Sequence, residues 1–215
     1  MNAATRAPVT ASEQTRWDDW NDSGGPSYPH GKVVQFVFRH YAAPIRPQTR
    51  FLDLGCGGGV HTAFLARERF LAHGSDLSPN GIERTRQRLA REGLSAELEV
   101  GSVDAIDHPD ASFEGLISIG VLDCAGPQRL APALSEITRV LKSGGMALLV
   151  FASDTDFRLR TASHLQLHGF GQGEVEQAIA PLNQHLQEVF LDRYITTYQN
   201  REIEQNDHLV TLRKR

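Results

Sequence analysis

The chain has 215 residues, with 22 Lys and Arg against 26 Asp and Glu, a formal net charge of −4 and 40% apolar residues. That length fits one domain with a substantial core, and the ordinary composition excludes fibrous and wholly disordered classes. The mild acidity gives no general pull toward nucleic acid or an anionic membrane, and the short basic end Arg213-Lys214-Arg215 is too small to change that. No apolar run is long enough to span a bilayer, and the first residues lack the apolar core of a secretory signal. Two cysteines, Cys56 and Cys124, do not indicate a disulfide framework. The expectation is a cytoplasmic protein, monomer or homodimer, without nucleic-acid or membrane partners.

Residues 1–15 are small and polar and are expected to order only on docking. Trp17, Trp20, Tyr28 and His30 then concentrate aromatic character before the core, across a Gly24-Gly25-Pro26 segment that must be irregular. Residues 1–30 are therefore read as an N-terminal arm or lid, and 31–215 as a single domain. Helical spacing of Val33, Val34, Val37 and Phe38 predicts a helix over 31–41. Strand-like Phe51 to Leu54, Leu71 to Ser75, Ala96 to Val100, Phe113 to Ile119 and Met146 to Phe151 alternate with helical stretches. These are His61 to Arg69, the Ser78-Pro79 segment to Gly93, and Gln128 to Leu141, which Gly144-Gly145 closes. Strand and helix repeated through short connections predict a doubly wound α/β fold with helices on both faces. After a polar stretch, a helix is expected over 174–188. Strands at Val189 to Tyr198 and His208 to Leu212, joined by polar residues 200–207, then finish the sheet as an antiparallel hairpin.

Leu52-Asp53-Leu54-Gly55-Cys56-Gly57-Gly58-Gly59-Val60-His61 carries a strand into a glycine turn and a helix, the context that makes such a turn a binding site. Glycines let the backbone turn tightly and approach a ligand, and the helix start adds oriented N–H groups. Two details oppose a dinucleotide: Val60 stands where the third glycine or alanine belongs, and Asp53 would face a pyrophosphate. A nicotinamide oxidoreductase is the weaker reading. Asp76 ends the second strand, where an acid can accept from both ribose hydroxyls. The ligand expected is a ribose without phosphate and with a cationic end, conditions that S-adenosylmethionine (SAM) meets.

Residues 52–59, Gly74-Ser75-Asp76-Leu77-Ser78, Phe113-Glu114-Gly115-Leu116-Ile117-Ser118 and Leu141-Lys142-Ser143-Gly144-Gly145 resemble the ordered motifs of class I SAM-dependent methyltransferases. The resemblance covers residues 31–151 and implies a mostly parallel seven-stranded sheet with its last strand antiparallel. It implies that Asp53, Gly55 and Gly57, with Cys56, His61 and Gly120 nearby, line the methionine moiety. Asp76 would hold the ribose, with Leu77, Ser102 and Val103 near the adenine; whether Ser102 or Asp104 takes the acid's place at the adenine edge is left open. The product would be S-adenosylhomocysteine (SAH).

Methyl transfer from a sulfonium is an in-line displacement that needs alignment and exclusion of water, and a base only if the acceptor must lose a proton. The segment Gly120-Val121-Leu122-Asp123-Cys124 lacks the Asn/Asp-Pro-Pro-aromatic motif of amino-methylating nucleic-acid enzymes. Asp123, His30 and Tyr28 are the candidates to orient or deprotonate the acceptor, and Cys124 reads as a small apolar filler. Asp154, Asp156, Arg158 and Arg160 could contact the acceptor from a third side. His164 and His168 share a helical spacing but lack a third ligand, so no metal site is expected. The acceptor expected is a small molecule, methylated on O or N, with a sugar or secondary metabolite preferred. An RNA or protein methyltransferase and a non-catalytic SAM-binding regulator are the alternatives.

Overall fold

The computed structural model describes residues 10–23, 25–161 and 166–215. Its strands are β1 (Arg50–Leu54), β2 (Leu71–Asp76), β3 (Glu97–Val100), β4 (Phe113–Ile119), β5 (Leu141–Ala152), β6 (Leu186–Tyr198) and β7 (Ile203–Lys214). They form one seven-stranded sheet in the order β3-β2-β1-β4-β5-β7-β6. Strands β1 to β5 pair in parallel, while β7 is antiparallel to both β5 and β6. This is the doubly wound α/β sheet with a terminal antiparallel hairpin that the sequence predicts. The strand order reverses between β1 and β4, which opens a crevice at their C-terminal ends.

The helices are α1 (Ala11–Ser23), α2 (Gly31–His40), α3 (Val60–Arg67), α4 (Pro79–Glu92), α5 (Leu122–Ala125), α6 (Pro127–Val140) and α7 (Gln172–Ile179). Consecutive strand residues feed opposite faces of the sheet. Leu52, Leu116, Leu149 and Phe151 join one apolar cluster with Leu134 and Ile137 of α6. Phe51, Ile117, Leu148 and Val150 join the other with Val33 and Val37 of α2 and Leu65 of α3. Burial on both faces is why these strands read as nearly continuous apolar runs. Helix α4 is bounded by local chemistry: the Ser78 hydroxyl accepts from Gly81 N–H at 2.9 Å, Pro79 opens the first turn, and Gly93 closes it with a φ of 65°.

Four expectations need correction. Residues 11–23 form a helix where little order was expected before Trp17; residues 1–9 lie outside the described set. The helix expected over 174–188 ends at Ile179, because Pro181 cannot continue it, and Leu186 already belongs to β6. The polar connection 200–207 is mostly strand, since β7 begins at Ile203. Strand β5 begins at Leu141 rather than Met146, with Gly144 and Gly145 inside its irregular start. Among the described residues no helix is long and apolar enough to cross a membrane.

Candidate cofactor site

The crevice between β1 and β4 opens into a cavity of about 680 Å³, within the range of small-molecule and cofactor sites. Its floor is the loop between β1 and α3. Gly55 N–H and Cys56 N–H both donate to the Ser75 carbonyl at 2.7 and 3.0 Å, which ties the loop to the end of β2. Two glycines are structurally required. Gly55 has a φ of +83° and a Cβ there would lie inside the Val121 side chain; Gly59 has a φ of +76° and its Cβ would meet Thr85 at 2.6 Å. At these two positions a side chain would force Val121 or Thr85 to move.

Asp76 straps this floor together. One carboxylate oxygen accepts from Gly57 N–H at 2.8 Å and the other from Ser78 N–H at 2.8 Å. Each oxygen keeps acceptor capacity for a ligand hydroxyl. Burial raises its pKa, against the lowering effect of those two N–H groups. Leu77, Gly101, Ser102 and Val103 continue the wall, and the Ser102 hydroxyl donates to Asp104. Gly120, Val121 and Cys124 border the opposite end with His61.

The roof comes from α1 and the residues after it: Glu13, Trp17, Trp20, Asn21, Gly25 and Pro26 all line the cavity. Polar contacts seat this helix near its start and at its middle. Glu13 receives both terminal nitrogens of the buried Arg129 at 3.1 and 3.2 Å, with Asp104 3.6 Å from the same guanidinium. Asp18 accepts from the Ser78 hydroxyl and, at 3.2 Å, from Asn80 N–H, at the start of α4.

Of the residues singled out from sequence, Gly55, Cys56, Gly57, His61, Asp76, Leu77, Ser102, Val103 and Gly120 stand together on the cavity wall. Asp53 lies beneath it: fully buried, it accepts from the Thr62 hydroxyl at 2.7 Å, and burial pushes its pKa up to about 7. Asp123 is also buried, and its carboxylate accepts from Ala152 N–H at 3.0 Å beneath the end of β5. Burial raises its pKa to about 6. Tyr28 is 82% exposed.

His30 caps α2. Its Nδ1 accepts from Lys32 N–H at 3.3 Å, so the neutral ring carries its proton on Nε2 as a donor, beside Tyr194 at 5.3 Å between ring centroids. Cys124 is a partly exposed cavity residue whose thiol donates to the Gly120 carbonyl at 3.5 Å.

Asp156 and Arg158 do not line the cavity. They form a cluster with Asp207 that anchors the start of β7, where Asp156 also accepts from Asn206 N–H at 2.6 Å. His164 lies outside the described residues. Sequence reasoning missed Glu13, Asn21 and Arg129.

The site fits SAM on its own terms. A ribose can reach Asp76, the bare loop admits close approach of a ligand, and the cavity has the volume. A family model described as "Methyltransferase domain" matches residues 51–145. A methyltransferase of Bacillus subtilis, YodH, is 31% identical over 127 residues, 59% of this chain and 53% of that protein. A ubiquinone biosynthesis O-methyltransferase of Methylocella silvestris is 30% identical over 163 residues, 61% of this chain and 64% of its own length. The chain thus spans less than two thirds of either relative. The solved structure of magnesium protoporphyrin IX methyltransferase from Synechocystis PCC 6803 with bound SAH shares the fold. Its TM-score is 0.65 at 13% identity, covering 98% of this chain and 90% of that one.

Proposed function

We propose that this chain is a class I SAM-dependent methyltransferase, a reading supported by the methyltransferase-domain match over residues 51–145, and that it transfers a methyl group from SAM to oxygen or nitrogen of a small molecule. The observation that carries the reading is the joint construction of the floor. The Gly57 N–H donated to Asp76 sets a ribose-accepting carboxylate at the edge of a glycine-rich loop.

When bound, SAM supplies an electrophilic methyl group on a sulfonium. The chain's own contribution is to bind, align and keep out water. Asp76 accepts from ribose hydroxyls, and Leu77 and Val103 give the adenine apolar contact. Trp17 and Trp20 roof the cavity, so that α1 acts as a lid and excludes water from the reacting end. The two carboxylates on the wall are both engaged: Glu13 with Arg129, and Asp76 with two backbone N–H groups. Catalysis is therefore read as alignment of an acceptor that is already nucleophilic or is deprotonated by water.

The roof also supports a small acceptor, because α1 covers the same cavity whose wall includes Gly120 and Val121. The relative in ubiquinone biosynthesis, an O-methyltransferase, supports oxygen as the acceptor atom. The test is to incubate the protein with methyl-labelled SAM and fractionated small metabolites, RNA and protein, followed by mass spectrometry. Label in a small molecule, with SAH released in step, supports the reading. Label confined to RNA or protein refutes it, and SAM binding without any transfer identifies a regulator instead.

A further inference from the structure

The two edges of the sheet are unlike. Strand β3 is four residues long and carries Glu97 and Glu99, the short and charged form that discourages pairing. Strand β6 runs for 13 residues, Leu186–Tyr198, and among the described residues no strand pairs with its outer side. It contains no proline, glycine or lysine, and its pairing with β7 is unbroken from Glu188 to Tyr198. Val189, Phe190, Ile195 and Tyr198 are exposed large apolar side chains on this one strand. A long, regular edge with open backbone groups and exposed apolar side chains is a template for another strand.

A second copy of β6 fits that edge. In an antiparallel pair opposed residues share a face, and a two-fold axis keeps each residue on its own face, so the axis must pass a residue that meets its own copy. Only centres at Asp192, Arg193 and Tyr194 keep Phe190 and Tyr198 both within the paired stretch. The first two set Asp192 or Arg193 against itself, and like charges directly opposed are destabilising. The third sets Phe190 against Tyr198, Asp192 against Thr196 and the Arg193 stem against Ile195, with no like charges opposed. The same register serves two further charges. Lys32 Nζ stands 5.0 Å from the Tyr194 ring centroid, and among the described residues it has no carboxylate partner. Asp192, on the same face as Tyr194, has no cationic partner among them. Asp192 of the second copy comes diagonal to Tyr194, on the side where Lys32 lies.

We infer that β6 is the contact edge of a homodimer, in which two copies pair antiparallel through residues 190–198 about a two-fold axis at Tyr194 and continue one sheet across both chains. This contact does not depend on which ligand the cavity takes.

Sedimentation equilibrium on the unsubstituted chain should show twice the mass of one chain. Thr196→Asp should raise the dissociation constant about tenfold, because like charges then oppose at both symmetric Asp192–Thr196 pairs. Adding Asp192→Lys makes those pairs opposite in charge and should restore the dimer. Cross-linking reads the register directly. In a Cys124→Ser background, Tyr194→Cys sets two thiols opposite each other at a separation that a disulfide spans, and mild oxidation should link the chains. Thr197→Cys, opposed to Leu191 and not to its own copy, should leave them unlinked.

A chain that stays monomeric to its highest soluble concentration, whether or not another protein binds it, overturns the inference. So does unchanged dimer affinity in folded Thr196→Asp, or equal linkage from the two cysteine positions. Should Thr196→Asp fail to fold, the cysteine pair decides alone.

Discussion

The cavity has two walls of different construction. The floor is a local device: five consecutive residues, three of them left-handed glycines, tied to the next strand by bonds from Gly55, Cys56 and Gly57. The roof is a remote one, a helix that reaches its place through Glu13 to Arg129 and Asp18 to Ser78 and Asn80, contacts that join residues more than 50 apart in sequence. A floor fixed by backbone geometry tolerates almost no side chain, whereas a roof seated by a few polar contacts can be loosened without unmaking the fold.

The sharpest break falls on the floor. Gly55→Ala combines an unfavourable φ with a collision against Val121 and should cost more than ~2 kcal/mol, read as lost soluble yield or a lowered Tm. Adding Val121→Ala relieves the collision and not the φ, so recovery should be partial. Asp76→Ala should leave the fold intact and weaken SAH binding by ~1–3 kcal/mol in a calorimetric titration.

Asp53→Asn probes the layer below. Its folded pKa of about 7 lies above the ~3.9 of an unfolded Asp, so the native protein loses stability as pH rises from about 4 to about 7. The asparagine variant should be more stable than the parent at pH 8 and show a flatter Tm profile through that window; each tenfold difference in proton affinity between the folded and unfolded carboxylate is worth ~1.4 kcal/mol.

Asp18→Ala, on the roof, should cost only ~0.5–1 kcal/mol in SAH affinity while raising hydrogen exchange in residues 11–23. If it disables the protein as thoroughly as Gly55→Ala does, the contrast between the walls is wrong.

Legibility in the sequence follows the same division. The glycine loop and Asp76 are readable because their chemistry is packed into short, ordered stretches. The strands are readable because both faces of the sheet are apolar. Helix α1 is not, because the stripe it turns to the cavity, Glu13, Trp17, Trp20 and Asn21, mixes aromatic and polar residues, so no apolar period marks it. One local signal does exist: Thr10 and Glu13 form a capping box, with Glu13 N–H donating to the Thr10 hydroxyl at 3.2 Å and Thr10 N–H to the Glu13 carboxylate at 3.0 Å.

The first half of β7 reads as a loop for a related reason. Asn206, Asp207 and His208 are buried polar residues, and their partners, Asp156, Arg158 and the Phe170 carbonyl, come from distant parts of the chain. Asp123 looks like a site acid because it follows the β4 end, yet only the fold reveals that its carboxylate is buried and that one of its oxygens accepts from Ala152 N–H.

The two apolar clusters act as a ruler for the loop. Phe51 and Leu52 are neighbours in sequence but enter different cores. Sliding β1 by a single residue against β2 and β4 would send an aromatic ring where a leucine fits and turn Asp53 toward the other layer. The starting point of the turn at Gly55 is thereby measured out by hydrocarbon packing three and four residues upstream, well before any adenosine arrives.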